Sequence, residues 1–353
     1  KNKFSKISSI IKDAKKGKMF ILVDDKNREN EGDLIIPGSK CNSKSINFMA
    51  IHGRGLICLA LTKKQIDNLK LPLMSPVNRS RMQTAFTVSI EAKKGVTTGI
   101  SAQDRAKTIK AAINPKSSKS DIVSPGHVFP LVARNGGVLE RAGHTEASVD
   151  ISKLSNLNPS SVICEVMNED GRMARMNDLF KFSKKHKIKL ASIEDLIAYR
   201  LRYEKLVTKL NSKKINLNKL NKLSIHYYKN KIENNINYVI SRGQFDQKKS
   251  IPVRVISTKI SNKNILKDSK IKKSLKILSK FKNFLLLVIN NHNNIVKNNN
   301  INTLRYYGIG AQIIKDLNVK NMILLSRSKK KIIGLEGFGL KITKQIIIKW
   351  KKF

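Results

Sequence analysis

Six consecutive residues, Arg28-Glu29-Asn30-Glu31-Gly32-Asp33, combine three carboxylates with one guanidinium. They follow an apolar run over residues 19–23 that predicts a buried strand. Carboxylates at this density repel one another, so a folded chain tolerates them best where a cation or a polar substrate collects them. The segment is therefore a candidate binding loop at the end of a strand. The alternative is a solvated, charged turn.

A second group of polar side chains lies on a glycine-hinged turn, residues 136–147, just before a predicted helix. Arg141 can donate a forked pair of hydrogen bonds to a phosphate, and Thr145 adds a hydroxyl donor. His144 can serve as a metal ligand or as a proton carrier. These three side chains are therefore candidates for phosphate binding, metal binding or proton transfer.

Two further side chains are candidates for proton transfer. His127 lies in a segment punctuated by proline and glycine, residues 125–131, which predicts a loop ahead of a strand, where a core histidine is less expected than on a helix face. Glu165 lies in the middle of the apolar run 162–167, which predicts a strand. A glutamate there is rarely buried unless it is paired or used, so it suits a general acid or base. The alternative is a glutamate that faces solvent on an edge strand.

Residues 96–105 predict an anion-binding helix start. Ser101 followed by Asp104 resembles a capping box, and the hydroxyl-rich approach over residues 96–100 exposes backbone N–H groups at the N-terminus of a helix. Such N–H groups favour an anion such as a phosphate. The alternative is an ordinary, well-capped helix.

The elements that would position these residues alternate between helices and strands. Apolar residues at helical spacing predict a helix over residues 8–16 that ends at Gly17, and another helix over residues 43–51. Short apolar runs predict a strand and turn at 34–38 and a strand at 56–61. This alternation predicts a layered domain of mixed α/β class.

The chain has 353 residues, enough for two domains, and a formal net charge of +45. Residues 1–200 carry 35 basic and 19 acidic side chains, and residues 201–353 carry 35 and 6. Such a charge is typical of nucleic-acid-binding proteins. However, lysine accompanies asparagine and isoleucine throughout, which suggests mutational drift in an A/T-rich genome, and no basic stripe is interleaved with aromatic residues. Specific nucleic-acid binding therefore stays a minor alternative.

Three widely separated cysteines, Cys41, Cys58 and Cys164, have no paired spacing for zinc and are odd in number for disulfides, which fits a reducing cytosol. The first 18 residues contain no hydrophobic core of signal-peptide length. The longest apolar run, residues 284–289, is too short to span a bilayer. The sequence therefore predicts a cytoplasmic protein that does not associate with membranes.

Five motifs together resemble one family. They occur in matching order between residues 8 and 200: Arg28-Glu-Asn-Glu-Gly-Asp33, Thr98-Gly-Ile-Ser-Ala-Gln-Asp-Arg105, Pro125-Gly-His-Val-Phe-Pro-Leu131, Arg141-Ala-Gly-His-Thr-Glu-Ala147 and Ile163-Cys-Glu-Val-Met-Asn168. The family is 3,4-dihydroxy-2-butanone 4-phosphate synthase, a lyase of riboflavin biosynthesis. Any one motif would be weak evidence, but the five together are highly specific.

The resemblance implies that the protein acts on D-ribulose 5-phosphate with Mg²⁺, rearranges its carbon skeleton and releases formate. It implies metal ligation by Glu29 and His144, and catalysis by His127 and Glu165. It also implies substrate binding by a larger set, which is Arg28, Glu29, Asp33, Arg141, Ala142, Gly143, His144, Thr145 and Glu165. Histidine is an unusual ligand for Mg²⁺, so we expect Mn²⁺ to serve as well. The family forms homodimers with active sites near the subunit interface, which implies a homodimer here.

The second half of the chain resembles a different enzyme. Residues 304–314 and 332–340 are similar to the C-terminal half of GTP cyclohydrolase II, which in many bacteria follows the synthase, and residues 252–255 match its Pro-Val-Arg-Val strand. That enzyme holds zinc with three cysteines, and this sequence has none after Cys164. We therefore expect no zinc and no cyclohydrolase activity.

Further departures concern residues that handle the nucleotide. Thr303 stands where the cyclohydrolase family has an acidic proton acceptor, two residues before the catalytic arginine, here Arg305. Ser326 and Lys331 correspond to a threonine and a lysine that contact the nucleotide, so weak anion binding can persist. The resemblance thus implies a cyclohydrolase fold without its chemistry, retained to support the dimer or the stability of the first domain.

We expect a domain of α/β (α+β) class with three layers and a mixed sheet over residues 1–202. A degenerate α/β domain similar to cyclohydrolase II is expected over residues 203–353. The predicted function is that of a 3,4-dihydroxy-2-butanone 4-phosphate synthase. The alternatives are a bifunctional enzyme that also opens GTP through a replaced metal site, and a basic nucleic-acid-binding protein whose enzyme motifs are relics.

Overall fold

The computed structural model describes residues 3–26, 28–79, 82–217, 220–260, 265–290, 300–328 and 338–348. The chain divides into two compact units, Lys1–Ile197 and Ala198–Phe353. Each unit contains a mixed sheet of seven strands. The predicted α/β class and the mixed sheet of the first domain are confirmed, and so is a second α/β domain.

The first unit alternates strands and helices along the chain. Its strands are β1 (Phe20–Val23), β2 (Gly32–Pro37), β3 (Cys58–Thr62), β4 (Ile90–Ala92), β5 (Ile122–Ala133), β6 (Ser160–Glu165) and β7 (Lys189–Ser192). Its helices are α1 (Ile7–Lys15), α2 (Ser43–Phe48), α3 (Lys63–Asn68), α4 (Ala102–Ile113), α5 (His144–Leu154), α6 (Met176–His186) and the first part of α7 (Ile193–Tyr203).

The sheet of the first unit has the strand order β4-β5-β3-β6-β2-β1-β7. The pairs β1–β7 and β3–β5 are parallel, and the other neighbouring strands are antiparallel. Strands β1 and β2 are buried along their whole length. A strand that is buried on both sides requires covering elements on both faces of the sheet.

Alternation of side chains along a strand separates the two cores of this unit. Leu59 of β3 belongs to the core that includes Ile46 of α2 and Ile109 of α4, whereas the next residue, Ala60, packs with Val149 of α5. Helices α2 and α4 therefore lie on one face of the sheet, and α5 lies on the other. This is the predicted three-layer arrangement.

The helices of the first unit follow the apolar spacing of the sequence, with one exception. Helix α1 buries the four apolar residues that predict it, and the chain turns at Gly17, whose φ of +72° favours glycine. The helix predicted over 43–51 ends earlier, at Phe48, and continues as a π-helical turn over Met49–Gly53.

The second unit is built around another mixed sheet. Its strands are β8 (Val207–Leu217), β9 (Leu220–Asn230), β10 (Ile236–Arg242), β11 (Ser250–Thr258), β12 (Phe284–Asn290), β13 (Asn321–Ser326) and β14 (Lys341–Ile347), and its further helices are α8 (Ser269–Leu278) and α9 (Asn300–Asp316). The strand order is β14-β13-β11-β12-β10-β9-β8. Strands β11 to β14 pair in parallel, and β12, β10, β9 and β8 pair antiparallel.

Strand β12 lies at the centre of this second sheet and is buried throughout. Leu286 and Val288 share a core with Leu275 of α8. Leu287, whose side chain points to the opposite face of β12, lies against α9, because a Cβ atom added to Gly310 would be 3.2 Å from Leu287 Cδ2. Helices therefore cover both faces of β12, as its unbroken apolar sequence requires.

The segment predicted to match the cyclohydrolase strand, residues 252–255, lies within β11. Ser326 ends β13, and its hydroxyl donates to the carbonyl oxygen of Ser328 at 2.7 Å. The side chains of Thr303 and Arg305, and the whole of Lys331, lie outside the described residues. Among the helices that the structure describes, none combines the length and the apolar composition needed to cross a bilayer.

Candidate active site

Asp24 organises the acidic loop between β1 and β2. Its carboxylate is buried and accepts hydrogen bonds from the backbone N–H groups of Glu31 (2.9 Å) and Glu29 (3.1 Å) and from Nη1 of Arg28 (2.8 Å). The same Arg28 nitrogen lies 2.6 Å from Oε2 of Glu29. An internal carboxylate therefore holds the loop in shape, and the loop is not the solvated turn of the alternative interpretation.

Arg175, at the start of α6, holds the same loop from the outside. Its Nη1 atom donates to the carbonyl oxygens of Glu29 (2.7 Å) and Asn30 (2.8 Å). Asn30 has a φ of +56°, a left-handed conformation that asparagine tolerates better than most residues. The loop thus turns sharply at Asn30 and directs the Glu29 side chain inward, where it is about three-quarters buried.

His144 begins α5, and its buried ring lies against the acidic loop. Its Nδ1 atom is 3.7 Å from Oε2 of Glu29 and 3.8 Å from Oδ1 of Asp33. Its Nε2 atom is buried and has no hydrogen-bond partner among the described residues. The structure therefore brings together Glu29 and His144, the two predicted metal ligands, and places Asp33 beside them.

Asp24, Glu29 and His144 fit a divalent cation. Each offers one ligand atom, and the three atoms lie within 4.8 Å of one another. Carboxylate oxygens suit Mg²⁺ and Mn²⁺, and an imidazole nitrogen is better suited to Mn²⁺. A ring nitrogen that is buried without a partner costs free energy, which coordination or a bound substrate would recover.

The charges of this cluster shift one another's pKa values. Burial by itself lowers the pKa of His144, but the carboxylates of Asp33, Glu29 and Asp24 outweigh that effect and raise it to about 9. Burial raises the pKa of Asp33 to about 7, although the charge of His144 opposes this. The pKa of Glu29 is lowered, chiefly by its contact with His144. These carboxylates thus favour the protonated His144 ring, and a metal ion and a proton would compete for it.

Arg141, a predicted phosphate ligand, is held by other parts of the protein. Its Nη1 atom donates to Oε2 of Glu146 at 2.6 Å, and its Nη2 atom donates to the Met82 carbonyl and the Thr84 hydroxyl, both at 3.0 Å. A Cβ atom on Gly143 would overlap the guanidinium, so the glycine leaves room for it. Arg141 is therefore presented in one orientation.

The first turn of α5 has no side-chain cap. Gly143 is the N-cap residue and provides no side-chain cap for the helix. Thr145 is buried in the first turn, next to His144. Backbone N–H groups at an uncapped helix N-terminus, together with a hydroxyl, form a suitable site for a phosphate.

Glu165 ends β6 and pairs in register with Asp33 of β2. Its Oε2 atom accepts a hydrogen bond from the backbone N–H of Leu56 at 2.9 Å. A Cβ atom on Gly55 would lie 2.6 Å from both Oε2 and the carbonyl oxygen of Glu165, so only glycine allows this close passage. The prediction that Glu165 lies in the middle of its strand is wrong, and β6 is an interior strand, so the edge-strand alternative is excluded.

His127 lies apart from this cluster. It is on β5, which is separated from β2 by β3 and β6, or roughly 14 Å at the usual strand spacing. Its ring is 45% exposed, and Nδ1 is paired with Oε1 of Glu91. The prediction of a loop ahead of a strand is wrong, because β5 begins at Ile122. No hydrogen bond or ion pair among the described residues joins His127 to Glu29, Asp33 or His144.

The predicted anion loop before α4 is occupied by its own carboxylate. Asp104 Oδ2 accepts hydrogen bonds from the N–H groups of Thr97 and Gly99 and from the Thr97 hydroxyl, at 2.7 to 3.2 Å. Ser101 caps α4 by accepting from the N–H of Asp104 at 3.0 Å. This arrangement favours the alternative of a well-capped helix over an anion site.

Three residues that hold the predicted site residues in place were not predicted from the sequence. Asp24 and Glu146 are buried carboxylates that satisfy the two arginines, and Glu91 holds His127. A signal existed for Asp24, which follows a buried strand, and for Glu146, which lies in the first turn of a helix. Nothing in the sequence connects Glu91 with His127, since 36 residues separate them.

Comparisons with known proteins show which families the chain resembles. Residues 8–199 match the family model for 3,4-dihydroxy-2-butanone 4-phosphate synthase, and residues 272–347 match that for GTP cyclohydrolase II. The chain is 43% identical, over 98% of its length and 93% of the relative's, to the riboflavin biosynthesis protein RibBA of Aquifex aeolicus.

Two solved structures are similar in fold. RibBX, a two-domain 3,4-dihydroxy-2-butanone 4-phosphate synthase from A. baumannii, has a TM-score of 0.82 and 36% identity, covering 98% of this chain and 100% of that one. A 3,4-dihydroxy-2-butanone 4-phosphate synthase in complex with two magnesium ions has a TM-score of 0.54 and 38% identity, covering 57% of this chain and 99% of that one. The chain therefore belongs to the 3,4-dihydroxy-2-butanone 4-phosphate synthase family and carries a GTP cyclohydrolase II-like domain behind its synthase domain.

Proposed function

We propose that the protein converts D-ribulose 5-phosphate to 3,4-dihydroxy-2-butanone 4-phosphate and formate, as a lyase of riboflavin biosynthesis. The observation that carries this proposal is the position of His144. Its ring lies beside Glu29 and Asp33, and its backbone begins a helix that has no side-chain cap. One residue thus joins a candidate metal site to a candidate phosphate site.

The phosphate group binds at the start of α5. The Thr145 hydroxyl and the backbone N–H of Ala142 supply hydrogen-bond donors, and the macrodipole of α5 favours the negative charge. The N–H of Gly143 donates to the Arg141 carbonyl at 2.9 Å, so Gly143 lines the phosphate site without donating to it. Arg141 adds a positive charge that Glu146 and Thr84 hold in place. The sugar then extends from the phosphate toward Glu29, Asp33 and Glu165.

Glu29 and His144 hold Mg²⁺ or Mn²⁺, and Asp24 lies within reach behind them. When bound, the ion supplies Lewis-acid stabilisation of negative charge on the substrate oxygens. The related synthase that was solved in complex with two magnesium ions supports this choice of metal. Arg28 bridges Asp24 and Glu29, and we propose that it and Asp33 bind the hydroxyl groups of the sugar.

Glu165 and His127 move protons during the rearrangement. Enolisation of a ketose and each later carbon shift require a positioned acid or base. Glu165 stands opposite Asp33, and the Leu56 N–H orients its carboxylate. The Nδ1 atom of His127 is paired with the carboxylate of Glu91, and the ring is partly exposed to solvent. Nε2 can therefore exchange a proton with substrate.

We propose that the protein is a cytoplasmic homodimer with active sites near the subunit interface. A groove of about 540 Å³ on the first unit is lined by exposed apolar side chains, among them Leu73, Met74 and Val77. Exposed apolar patches are typical of association surfaces.

We propose that the second domain, over residues 203–353, has no cyclohydrolase activity and needs no zinc. No cysteine follows Cys164, so a zinc site of three thiolates cannot be assembled there. Residues 272–347 match the GTP cyclohydrolase II model and the Aquifex relative is named RibBA, so the bifunctional alternative has to be tested by experiment.

A truncation that ends near Arg202 tests whether this domain supports dimerisation or stability. Normal expression, assembly and turnover would contradict such a role.

The decisive experiment measures formate from the purified, full-length protein in two parallel reactions. One contains ribulose 5-phosphate and Mg²⁺, and the other contains GTP and Zn²⁺. We expect formate in the first reaction only, and we expect EDTA to abolish it. Absence of formate from the first reaction would overturn the synthase proposal, whereas formate in the second would establish the bifunctional alternative.

A further inference from the structure

We infer that Glu91 is a positioning residue for His127, an inference that rests on the proton-transfer role of His127 in the function proposed above. Glu91 lies on β4, and its Oε1 atom contacts Nδ1 of His127 on β5. The two side chains differ in exposure, since 17% of Glu91 and 45% of His127 is accessible. The carboxylate is therefore the inner partner and the imidazole the outer one.

The β4–β5 pairing is irregular where Glu91 and His127 meet. Ile90 pairs with Val128, but the next residue, Glu91, pairs with Val123. The register therefore skips Ser124–His127, which bulge out of β5. Such bulges re-aim side chains and are common next to active sites. A regular antiparallel ladder continued from Ile90 and Val128 would set Glu91 opposite His127, and their side chains stay in contact although the backbone of Glu91 pairs with Val123.

The loop before α4 fixes the other side of Glu91. Gly99, with a φ of +86°, lies so close to this residue that a Cβ atom would overlap the Glu91 carboxylate. Asp104 holds Gly99 in place by accepting its backbone N–H at 3.2 Å. The loop thus packs against one side of the Glu91 carboxylate, and the imidazole ring of His127 contacts the other.

The chemical consequence concerns which ring nitrogen carries the proton. A carboxylate that accepts a hydrogen bond from Nδ1–H favours the tautomer with its lone pair on Nε2. It also stabilises the imidazolium that forms when Nε2 takes up a proton. Among the described residues, Nε2 of His127 has no hydrogen-bond partner, so it is the nitrogen available to substrate. Glu91 therefore sets both the orientation and the tautomer of His127.

Glu91→Gln tests this role, because glutamine keeps the size of the side chain and removes its charge. We expect kcat for formate release to fall about 10- to 100-fold, as is typical of partners that orient an active histidine, with KM for ribulose 5-phosphate nearly unchanged. A parallel measurement uses ¹⁵N-histidine NMR on the full-length protein, which contains six histidines. A His127→Asn sample assigns the His127 resonances.

The NMR measurement separates positioning from a general structural effect. In wild type we expect His127 to carry its proton on Nδ1, and in Glu91→Gln we expect a mixture of tautomers. A fall in kcat without any change in the His127 resonances would overturn the inference, as would unchanged kcat and unchanged resonances. A wild-type protein that releases no formate would instead overturn the proposed function, while the NMR result would still show whether Glu91 holds the ring.

Gly99→Ala provides a second perturbation that retains Glu91. Its Cβ atom would displace the carboxylate from His127, so we expect the same fall in kcat and the same change in the His127 resonances. Gly95→Ala is the matched control, because Gly95 also has a positive φ, +77°, but a Cβ atom there meets nothing within 4 Å. The two variants share the backbone strain and differ in the clash. Equal kcat values for the two variants would contradict the inference.

Discussion

Arg141 and Glu146 form a buried ion pair at the start of α5, with 2.6 Å between Nη1 and Oε2 and only 1% of the Glu146 side chain exposed. The carboxylate also accepts the backbone N–H of Arg134 at 3.1 Å. Glu146 therefore joins the turn before α5 to the guanidinium proposed to bind phosphate. A side chain held in this way needs little reorganisation when substrate arrives.

We expect Glu146→Ala to destabilise the protein by about 3 kcal/mol, because it leaves the Arg141 charge buried without its partner. We also expect KM for ribulose 5-phosphate to rise, since Arg141 loses its fixed orientation. Urea denaturation and steady-state kinetics measure the two effects. Asp67→Ala is the control, because it breaks an exposed ion pair with Lys63 and should cost less than about 1 kcal/mol. If both variants lose the same free energy of unfolding, burial does not make the Arg141–Glu146 pair more important than an exposed ion pair.

His144→Ala should weaken the binding of Mn²⁺, used as a spectroscopic substitute for Mg²⁺, by at least about tenfold. The reason is that His144 is the nitrogen donor of the candidate metal cluster. Titration followed by electron paramagnetic resonance measures free Mn²⁺ directly. His186→Ala is the matched control, because this histidine stacks on Phe182 and His52 outside the cluster. Unchanged Mn²⁺ affinity in His144→Ala would remove this residue from the metal site.

Gly55→Ala should lower kcat because its Cβ atom would press on Oε2 and the carbonyl oxygen of Glu165 at 2.6 Å. Displacement of a general acid or base removes part of the ~10²–10⁴-fold rate enhancement that such groups provide. Gly171→Ala serves as the control, since a Cβ atom at that turn meets nothing within 4 Å. If both variants turn over at the wild-type rate, the carboxylate of Glu165 does not depend on this close passage.

The stability of the second domain should fall in mild acid through His226. Burial and the charge of Lys209 lower the pKa of His226 to about 4, and its two ring nitrogens contact the hydroxyls of Ser212 (2.8 Å) and Ser241 (2.9 Å). Above pH 6.5 the ring is neutral in both folded and unfolded chains, so it contributes no pH dependence. Between pH 6.5 and about 4 only the unfolded chain binds the proton, so stability falls as pH falls.

Comparison of wild type with His226→Gln isolates this effect from the titration of carboxylates. We expect the stability difference between the two proteins to be constant at pH 7 to 8 and to shrink by about 1 kcal/mol on going to pH 5, after allowance for partial exposure of the ring. Urea unfolding at each pH measures it. A difference that does not vary with pH would mean that the folded protein binds the proton on His226.

The sequence allowed the layered fold and most of the cluster to be predicted, for physical reasons that can be named. Apolar runs predicted β1, β2 and β6, and the structure places Asp33 of β2 opposite Glu165 of β6. The helical pattern after His144 placed that residue at a helix start. Periodicity was sufficient to predict these elements, whereas the expectation that Glu29 and His144 bind one metal ion came from the family resemblance.

Other contacts could not be predicted because they depend on register. The bulge opposite Ile90 and Glu91 is set by how two strands meet, and no local pattern encodes it. The loop before α4 was misjudged for a related reason. Its exposed N–H groups suggested an external anion, but Asp104, five residues beyond Gly99, supplies the negative charge from within the fold.

The hydrogen bonds of Asp24 and Arg175 determine how the protein would respond to removal of the proposed metal ion. The acidic loop takes its shape from a buried carboxylate and an arginine, and does not depend on coordination for that shape. Many small metal-binding domains unfold when a chelator removes the ion. In this protein we expect chelation to abolish catalytic activity while the protein stays folded. Adding the metal ion back should then restore activity without a refolding step.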